Sequence, residues 1–154
     1  MLVSGLHDTR LLLWDVAMGT YKTIKHGWHG YVSDIAITRD NKTVVSSAGG
    51  NLFVSDAVTG EQIQRICSRV CMVNRFALSP SGQRVVLIGD GGNVRLWDIK
   101  TDMCLKAFKL APRDALSVAF SPDGRTVACG LDDSNMYALD AATFEIKTRE
   151  PAKL

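Results

Sequence analysis

His26 and His29 stand three residues apart, near enough in the chain for two imidazoles to reach one metal ion. A zinc site needs three or four ligands. No cysteine or carboxylate lies close enough in the sequence to complete the set, so no metal is expected here. Cys67 and Cys71 form a second pair, but they straddle a strand-to-strand turn, and burial is their expected role. Cys104 and Cys129 fall in alternating, strand-like segments, where a free thiol packs as a small hydrophobe. No two of the four cysteines form a CxxC pair, which fits a reducing compartment. The glycine-rich stretches Ala48-Gly49-Gly50-Asn51 and Gly89-Asp90-Gly91-Gly92-Asn93 could suggest a phosphate cradle. Such a cradle draws its aligned N–H groups from a helix N-terminus. Both stretches lead into strand-like runs instead, so they read as hairpin turns. There is no GxSxG elbow, no HExxH and no GxxxxGK[ST] loop. The residues therefore point away from catalysis and imply no cofactor.

Composition narrows the classes further. The 154 residues have the length of one ordinary domain. They are 46% hydrophobic and 22% charged, which is globular and carries no signature of disorder. A net charge of +2 is too small for a surface that tracks nucleic-acid phosphates. No apolar run approaches the roughly 18 residues of a membrane span. The start, Met1-Leu2-Val3-Ser4-Gly5, has neither the basic stretch nor the apolar core of a secretory signal. The expected location is intracellular and cytoplasmic.

The elements that position these residues follow from an internal repeat. Four segments end alike: Leu11-Leu12-Leu13-Trp14-Asp15, Leu52-Phe53-Val54-Ser55-Asp56, Val94-Arg95-Leu96-Trp97-Asp98 and Met136-Tyr137-Ala138-Leu139-Asp140. Their aspartates lie 41, 42 and 42 residues apart. A second pattern recurs in the same phase at Ile37-Thr38-Arg39-Asp40-Asn41, Leu78-Ser79-Pro80-Ser81-Gly82 and Phe120-Ser121-Pro122-Asp123-Gly124. A third follows each aspartate as a turn: Met18-Gly19, Thr59-Gly60, Thr101-Asp102 and Thr143-Phe144. Between these punctuation marks run short alternating segments bounded by Gly, Asn, Asp or Pro, the pattern of an all-β repeat.

Three signals in one phase resemble the WD-repeat family, whose repeats have four strands and a period of about 40–45 residues. The resemblance covers essentially the whole chain. It implies tandem four-stranded antiparallel blades of a β-propeller. The expected blades are 1–26, 27–67, 68–109 and 110–154. The first lacks its innermost strand, because Leu2-Val3-Ser4-Gly5 aligns with a second strand, as Ala128-Cys129-Gly130 does. The reading is thus about three and three-quarter blades, or fifteen strands, in an incomplete arc. Such an arc looks like the end of a longer protein or a shortened product, or one of two chains that together close a ring. Open blade edges imply self-association or frayed ends.

In such propellers a Trp of the third strand, a Ser or Thr of the second, an Asp of the hairpin between them and a His ahead of the first strand share hydrogen bonds. Carried over by position, this set gives Ser4, Asp8 and Trp14 in the first unit, Asp90 and Trp97 in the third and Asp133 in the fourth. Ser55 replaces the Trp of the second unit, and Leu139 and Cys129 replace Trp and Ser in the fourth. The middle hairpins, Gly49-Gly50-Asn51 and Gly91-Gly92-Asn93, read as one residue shorter than the outer two. Gly27-Trp28-His29 is the nearest relative of the usual Gly-His pair. Asp8, Asp90 and Asp133 are read chiefly as hairpin ties.

Partners often dock on the propeller face that carries the loops before the first strand and between the second and third. Here those loops hold Trp28, His29 and Tyr31, then Arg69 and Met72, then Arg113 and Asp114. Trp, Tyr and Arg dominate binding hot spots, because they bury much surface with few rotamers and keep a polar group. Trp28 and Tyr31 could equally cover the edge of their own blade. Lys22, Lys25, Arg65, Lys106, Lys109, Lys147 and Arg149 gather on the fourth strands, as a solvated rim or a surface for an acidic partner. The innermost strands offer an enzymatic tunnel only Asp34 and Arg75. The expected function is a protein–protein interaction scaffold or adaptor binding other proteins or peptides, without a membrane and without nucleic acid. The alternatives are the regulatory or sensor end of a larger multidomain signalling protein and, further off, an enzymatic propeller.

Overall fold

The computed structural model describes residues 1–8, 10–25, 31–67 and 73–151. It divides into two compact units, Met1–Arg69 and Val70–Leu154. Among the described residues there are fifteen β-strands and a single short 3-10 turn. In the first unit, β1 (Leu2–Gly5), β2 (Arg10–Asp15) and β3 (Thr20–Lys25) form a three-stranded sheet. Its second sheet is β4 (Val32–Ile37), β5 (Thr43–Ala48), β6 (Asn51–Asp56) and β7 (Gln62–Cys67). In the second unit, β8 (Val73–Leu78), β9 (Arg84–Gly89), β10 (Asn93–Asp98) and β11 (Met103–Lys109) make one sheet. The other is β12 (Ala115–Phe120), β13 (Thr126–Leu131), β14 (Asn135–Asp140) and β15 (Ile146–Pro151). Every sheet is an antiparallel meander in chain order, as the repeat implies.

The recurring residues explain the recurring turns. In the first hairpin of each four-stranded sheet, Thr38, Ser79 and Ser121 donate their backbone N–H across the turn to Thr43, Arg84 and Thr126. Their hydroxyls reach Asp40 at 2.6 Å, Ser81 at 3.0 Å and Asp123 at 2.5 Å. The turn then needs a left-handed residue, supplied by Asn41, Gly82 and Gly124 at φ of 58°, 70° and 71°. The aspartates that end the third strands do comparable work. One carboxylate oxygen of Asp15 accepts from the N–H groups of Ala17 and Met18, and Asp56 does so from Val58 and Thr59. Asp140 accepts from Ala142 and Thr143, and Asp98 from the N–H and hydroxyl of Thr101. This is why the Asp persists where the Trp before it has become Ser55 or Leu139.

Each unit is held by one sheet packed on the other. Leu11, Leu13 and Ile24 of the first sheet form a core cluster with Val44 and Ala57 of the second, against which Val3, Val32, Ile35 and Ile37 pack. In the second unit Val86, Ile88, Val94 and Leu96 meet Val127, Cys129, Leu131, Tyr137, Leu139 and Phe144. Successive strand residues point to opposite faces, so each sheet has two faces of defined composition.

Two expectations need correction. Cys67 and Cys104 are exposed, because they lie on the edge strands β7 and β11; only Cys129 packs as a small hydrophobe, and its burial pushes the thiol pKa up to about 12. Cys71 lies outside the described residues. Only the second hairpin is short. Ser47 pairs with Asn51's neighbour Leu52, whereas Ile88 pairs with Val94 with the same spacing as Gly5 with Leu11, the extra residue being absorbed by the 3-10 turn Asp90–Gly92. The described basic residues of the rim are exposed, as a solvated rim implies, and several of them also have partners. Arg65 lies over the Phe53 ring at 5.9 Å, Arg149 over Tyr137 at 5.5 Å, and Lys147 pairs with Asp140 at 3.0 Å.

Candidate partner-binding loops

The loop leading into a sheet meets the second hairpin of the sheet before it, and it does so in both units. In the first unit, Tyr31 precedes β4 and stacks on His7 of the β1–β2 hairpin, with ring centroids 5.8 Å apart and planes at 16°. Tyr31 stays 54% exposed in this stack, so its ring keeps surface available to a partner. In the second unit, Asp114 precedes β12 and accepts the Gly91 N–H at 2.6 Å. Leu110 N–H bonds Gly92 O at 2.9 Å, and Asp132 N–H bonds Asp114 O at 3.0 Å. A Cβ on Gly92 would fall 2.0 Å from Ala111 O, so only glycine lets this loop approach its hairpin.

Arg113 is exposed beside this loop. Asp133 accepts the Asn135 N–H at 3.1 Å. Its carboxyl is held below the usual carboxylate range, first by the Asn135 side chain and also by the positive charges of Arg149 and Arg113. Arg113, Asp114 and Asp133 thus make a charged, hydrogen-bonded loop end on the second unit. Trp28, His29, Arg69 and Met72 lie outside the described residues, as does His26. Asp34 belongs to the first unit, where its carboxylate caps the Ile35 N–H at 3.0 Å, and Arg75 to the second. No group of three or more His, Cys, Asp or Glu that could hold a metal occurs among the described residues. No helix among them is long and apolar enough to cross a membrane.

The expected structural residues are placed unevenly. Trp14 Nε1 donates to Ser4 Oγ at 2.9 Å. Asp8 instead pairs with Arg10, at 2.6 Å, and accepts its backbone N–H at 3.4 Å. Asp90 opens the 3-10 turn, and its carbonyl accepts from Asn93 Nδ2 at 2.7 Å. The register then shows two positions that sequence reading missed. Trp14 pairs with Leu2, two residues before Ser4; Ser55 pairs with Val44, two before Ser46; Trp97 pairs with Val85, two before Leu87. The second sheet has therefore kept the serine and lost the tryptophan, and the third has kept the tryptophan and lost the serine. Ser46 Oγ and Trp97 Nε1 are the buried side-chain polar atoms without a hydrogen-bond partner among the described residues. In the fourth sheet Cys129 and Leu139 replace both members, and no orphan remains.

Residues 104–137 match the family model described as "WD domain, G-beta repeat". Autophagy-related protein 16 of Arabidopsis thaliana is 30% identical over 149 residues, covering 94% of this chain and 29% of that protein. A guanine nucleotide-binding protein subunit beta of Oryza sativa subsp. japonica is 27% identical, covering 94% of this chain and 42% of that protein. This chain belongs to the WD-repeat family. A small ribosomal subunit protein, RACK1y, of the same rice is 22% identical and is covered over 44% of its length. The chain thus spans less than half of each of these WD-repeat relatives. Within the family, the Ser4–Trp14 pair is the one complete remnant of the polar set among the described residues. Elsewhere in this chain WD-type blades are kept by strand pairing, turn chemistry and apolar packing.

Proposed function

We propose that this chain is a non-catalytic protein-interaction scaffold that presents the loops before the first strand, and the second hairpins, of its WD blades to a protein or peptide partner. The observation that carries the reading is the repeated loop-on-hairpin construction: Tyr31 on His7 in one unit, Asp114 on Gly91 in the other. Both hold an exposed residue, Tyr31 or Asp114, against a hairpin, which lowers the ordering cost of binding. Trp28, His29, Arg69 and Met72 belong to the same proposed surface through their sequence positions, with Arg113 as its charged anchor. The relatives are consistent with it, one being named a guanine nucleotide-binding protein subunit and another a small ribosomal subunit protein. The blades are 1–26, 27–67, 68–109 and 110–154, and the location is intracellular and cytoplasmic, where Cys67, Cys104 and Cys129 remain free thiols. The partner is neither membrane nor nucleic acid.

Affinity capture followed by reconstitution with the purified partner tests this. Trp28→Ala and Arg113→Ala are each expected to weaken binding while the thermal midpoint stays at the wild-type value. Loss of folding in both variants, or catalytic turnover by the pure chain, contradicts it.

A further inference from the structure

After the turn that follows each strand-ending aspartate, the chain enters the outer strand of its sheet. The residues at that entry are Thr20-Tyr21-Lys22, Glu61-Gln62-Ile63, Met103-Cys104-Leu105 and Glu145-Ile146-Lys147. In the first, second and fourth sheets this stretch is mostly polar or charged. In the third it is apolar throughout and exposed throughout, Met103 at 60% and Leu105 at 40%. Exposed apolar residues scattered singly are ordinary, whereas an unbroken exposed run marks a contact surface. The run lies on β11, which ends the sheet β8-β9-β10-β11, so one row of its backbone N–H and C=O groups faces no other strand among the described residues. β11 sits well inside the chain, with the whole β12–β15 sheet after it. Leu96 pairs with Lys106 and Trp97 with Cys104, so Leu105 is a bulge without a partner on β10. The second half of the strand changes character, with Lys106 and Lys109 both exposed.

An apolar half and a basic half along one free edge specify an occupant. We infer that β11 takes an added strand from another protein, an extended antiparallel segment with apolar residues against Met103–Leu105 and acidic residues against Lys106 and Lys109. In strand addition the main-chain hydrogen bonds supply affinity and the side chains choose the partner. The antiparallel ladder is the slightly more stable of the two. A second copy of this chain fits the edge poorly. Laid antiparallel over its full length, Met103–Lys109 puts Lys106 directly opposite Lys106, and like charges so placed destabilise a pair. The lysines therefore turn away the chain's own strand and accept an acidic one. No other outer strand combines the two halves. β3 and β15 carry basic residues without the apolar run, and β7 has Ile63 with Arg65 alone, whose guanidinium lies over Phe53. The surface uses neither Tyr31 nor Arg113, so it stands or falls apart from the loop-binding role.

Two acetylated and amidated peptides test it, EVTEVTV and its charge-reversed form KVTKVTV, each titrated into the purified chain. Valine and threonine favour the extended form. Laid antiparallel on β11, the glutamates of the first peptide fall opposite Lys109 and Lys106, and its last residues fall opposite Leu105, Cys104 and Met103. EVTEVTV is expected to bind and to slow amide hydrogen exchange along β11, and KVTKVTV to bind at least about tenfold more weakly. Lys106→Glu is expected to reverse that preference. Met103→Ser combined with Leu105→Ser is expected to weaken EVTEVTV about tenfold. All these side chains are exposed, so the variants are expected to keep the wild-type melting curve. Ile63→Ser, at the matching bulge of β7, is expected to leave binding unchanged. Absence of EVTEVTV binding up to millimolar concentration overturns the inference. So does equal binding of the two peptides, or slowed exchange confined to another strand. A wild type that sediments as a dimer with the β11 amides already protected gives the edge to a second copy and overturns it too.

Discussion

Ser4→Ala and Ser46→Ala remove the same hydroxyl from equivalent places in two sheets, and opposite consequences are expected. Ser4 Oγ accepts the Trp14 indole N–H, so its loss removes one hydrogen bond and is expected to cost about 1 kcal/mol. Ser46 Oγ is fully buried with no partner among the described residues, so its loss removes a desolvated group and is expected to be neutral or to stabilise by up to about 1 kcal/mol. Paired urea unfolding curves measure both; equal destabilisation by the two substitutions would contradict the assignment. The pair Ser4–Trp14 is legible in the sequence from the family pattern. Ser46 and Leu87 are not legible in the same way, because the second hairpin is shorter than the others and only the strand register aligns the positions. The exposure of Cys67 and Cys104 escaped for a related reason. A thiol in an alternating segment reads as apolar, and whether its strand lies at the edge of a sheet is a property of the pairing.

At the level of elements, the turns after the third strands show how much of the fold local chemistry decides. The left-handed position of that turn is filled by Gly19, Gly60, Asp102 and Phe144, at φ of 66°, 80°, 54° and 62°. Strand order and the fifteen-strand count follow from punctuation of this kind and were readable from the repeat alone. The repeat also puts Phe144 in this turn but does not show what holds it there, and a bulky residue in this conformation costs about 1–3 kcal/mol unless its surroundings hold it. Here it is buried in the core of the second unit and meets Phe108 edge-on, with centroids 5.7 Å apart. Asp102→Gly, at an exposed turn, is expected to leave stability within about 0.5 kcal/mol of wild type. Phe144→Gly relieves the same backbone strain but opens a cavity, and it is expected to destabilise by about 2–3 kcal/mol. Thermal melts of both variants check the contrast; a neutral Phe144→Gly would show that the ring is not holding the turn.

Across the whole molecule, the repeated carboxylate turns set the response to acid. Asp56, Asp98 and Asp140 are held below the usual carboxylate range by backbone N–H groups of their turns first, and Asp40 and Asp123 by the Thr38 and Ser121 hydroxyls first. Asp8 is held down by Arg10 and Asp133 by Asn135. A group whose folded pKa is depressed adds stability above its unfolded value of about 3.9 and loses it as pH falls below that. Urea midpoints are therefore expected to be flat near neutrality and to drop between about pH 4 and pH 2; a midpoint that rises on acidification would contradict the turn chemistry. The scaffold role depends on a different property, side chains left exposed just before the first strands of the sheets, such as Tyr31 and Arg113. Calorimetric titration of the purified partner into wild type, Tyr31→Ala, Arg113→Ala and Met18→Ala tests it most directly, Met18 being an exposed residue of a different turn. The loop substitutions are expected to weaken binding about tenfold or more, each corresponding to roughly 1.4 kcal/mol, with Met18→Ala at the wild-type value. Wild-type affinity in both loop variants, with binding lost in Met18→Ala, would contradict the account.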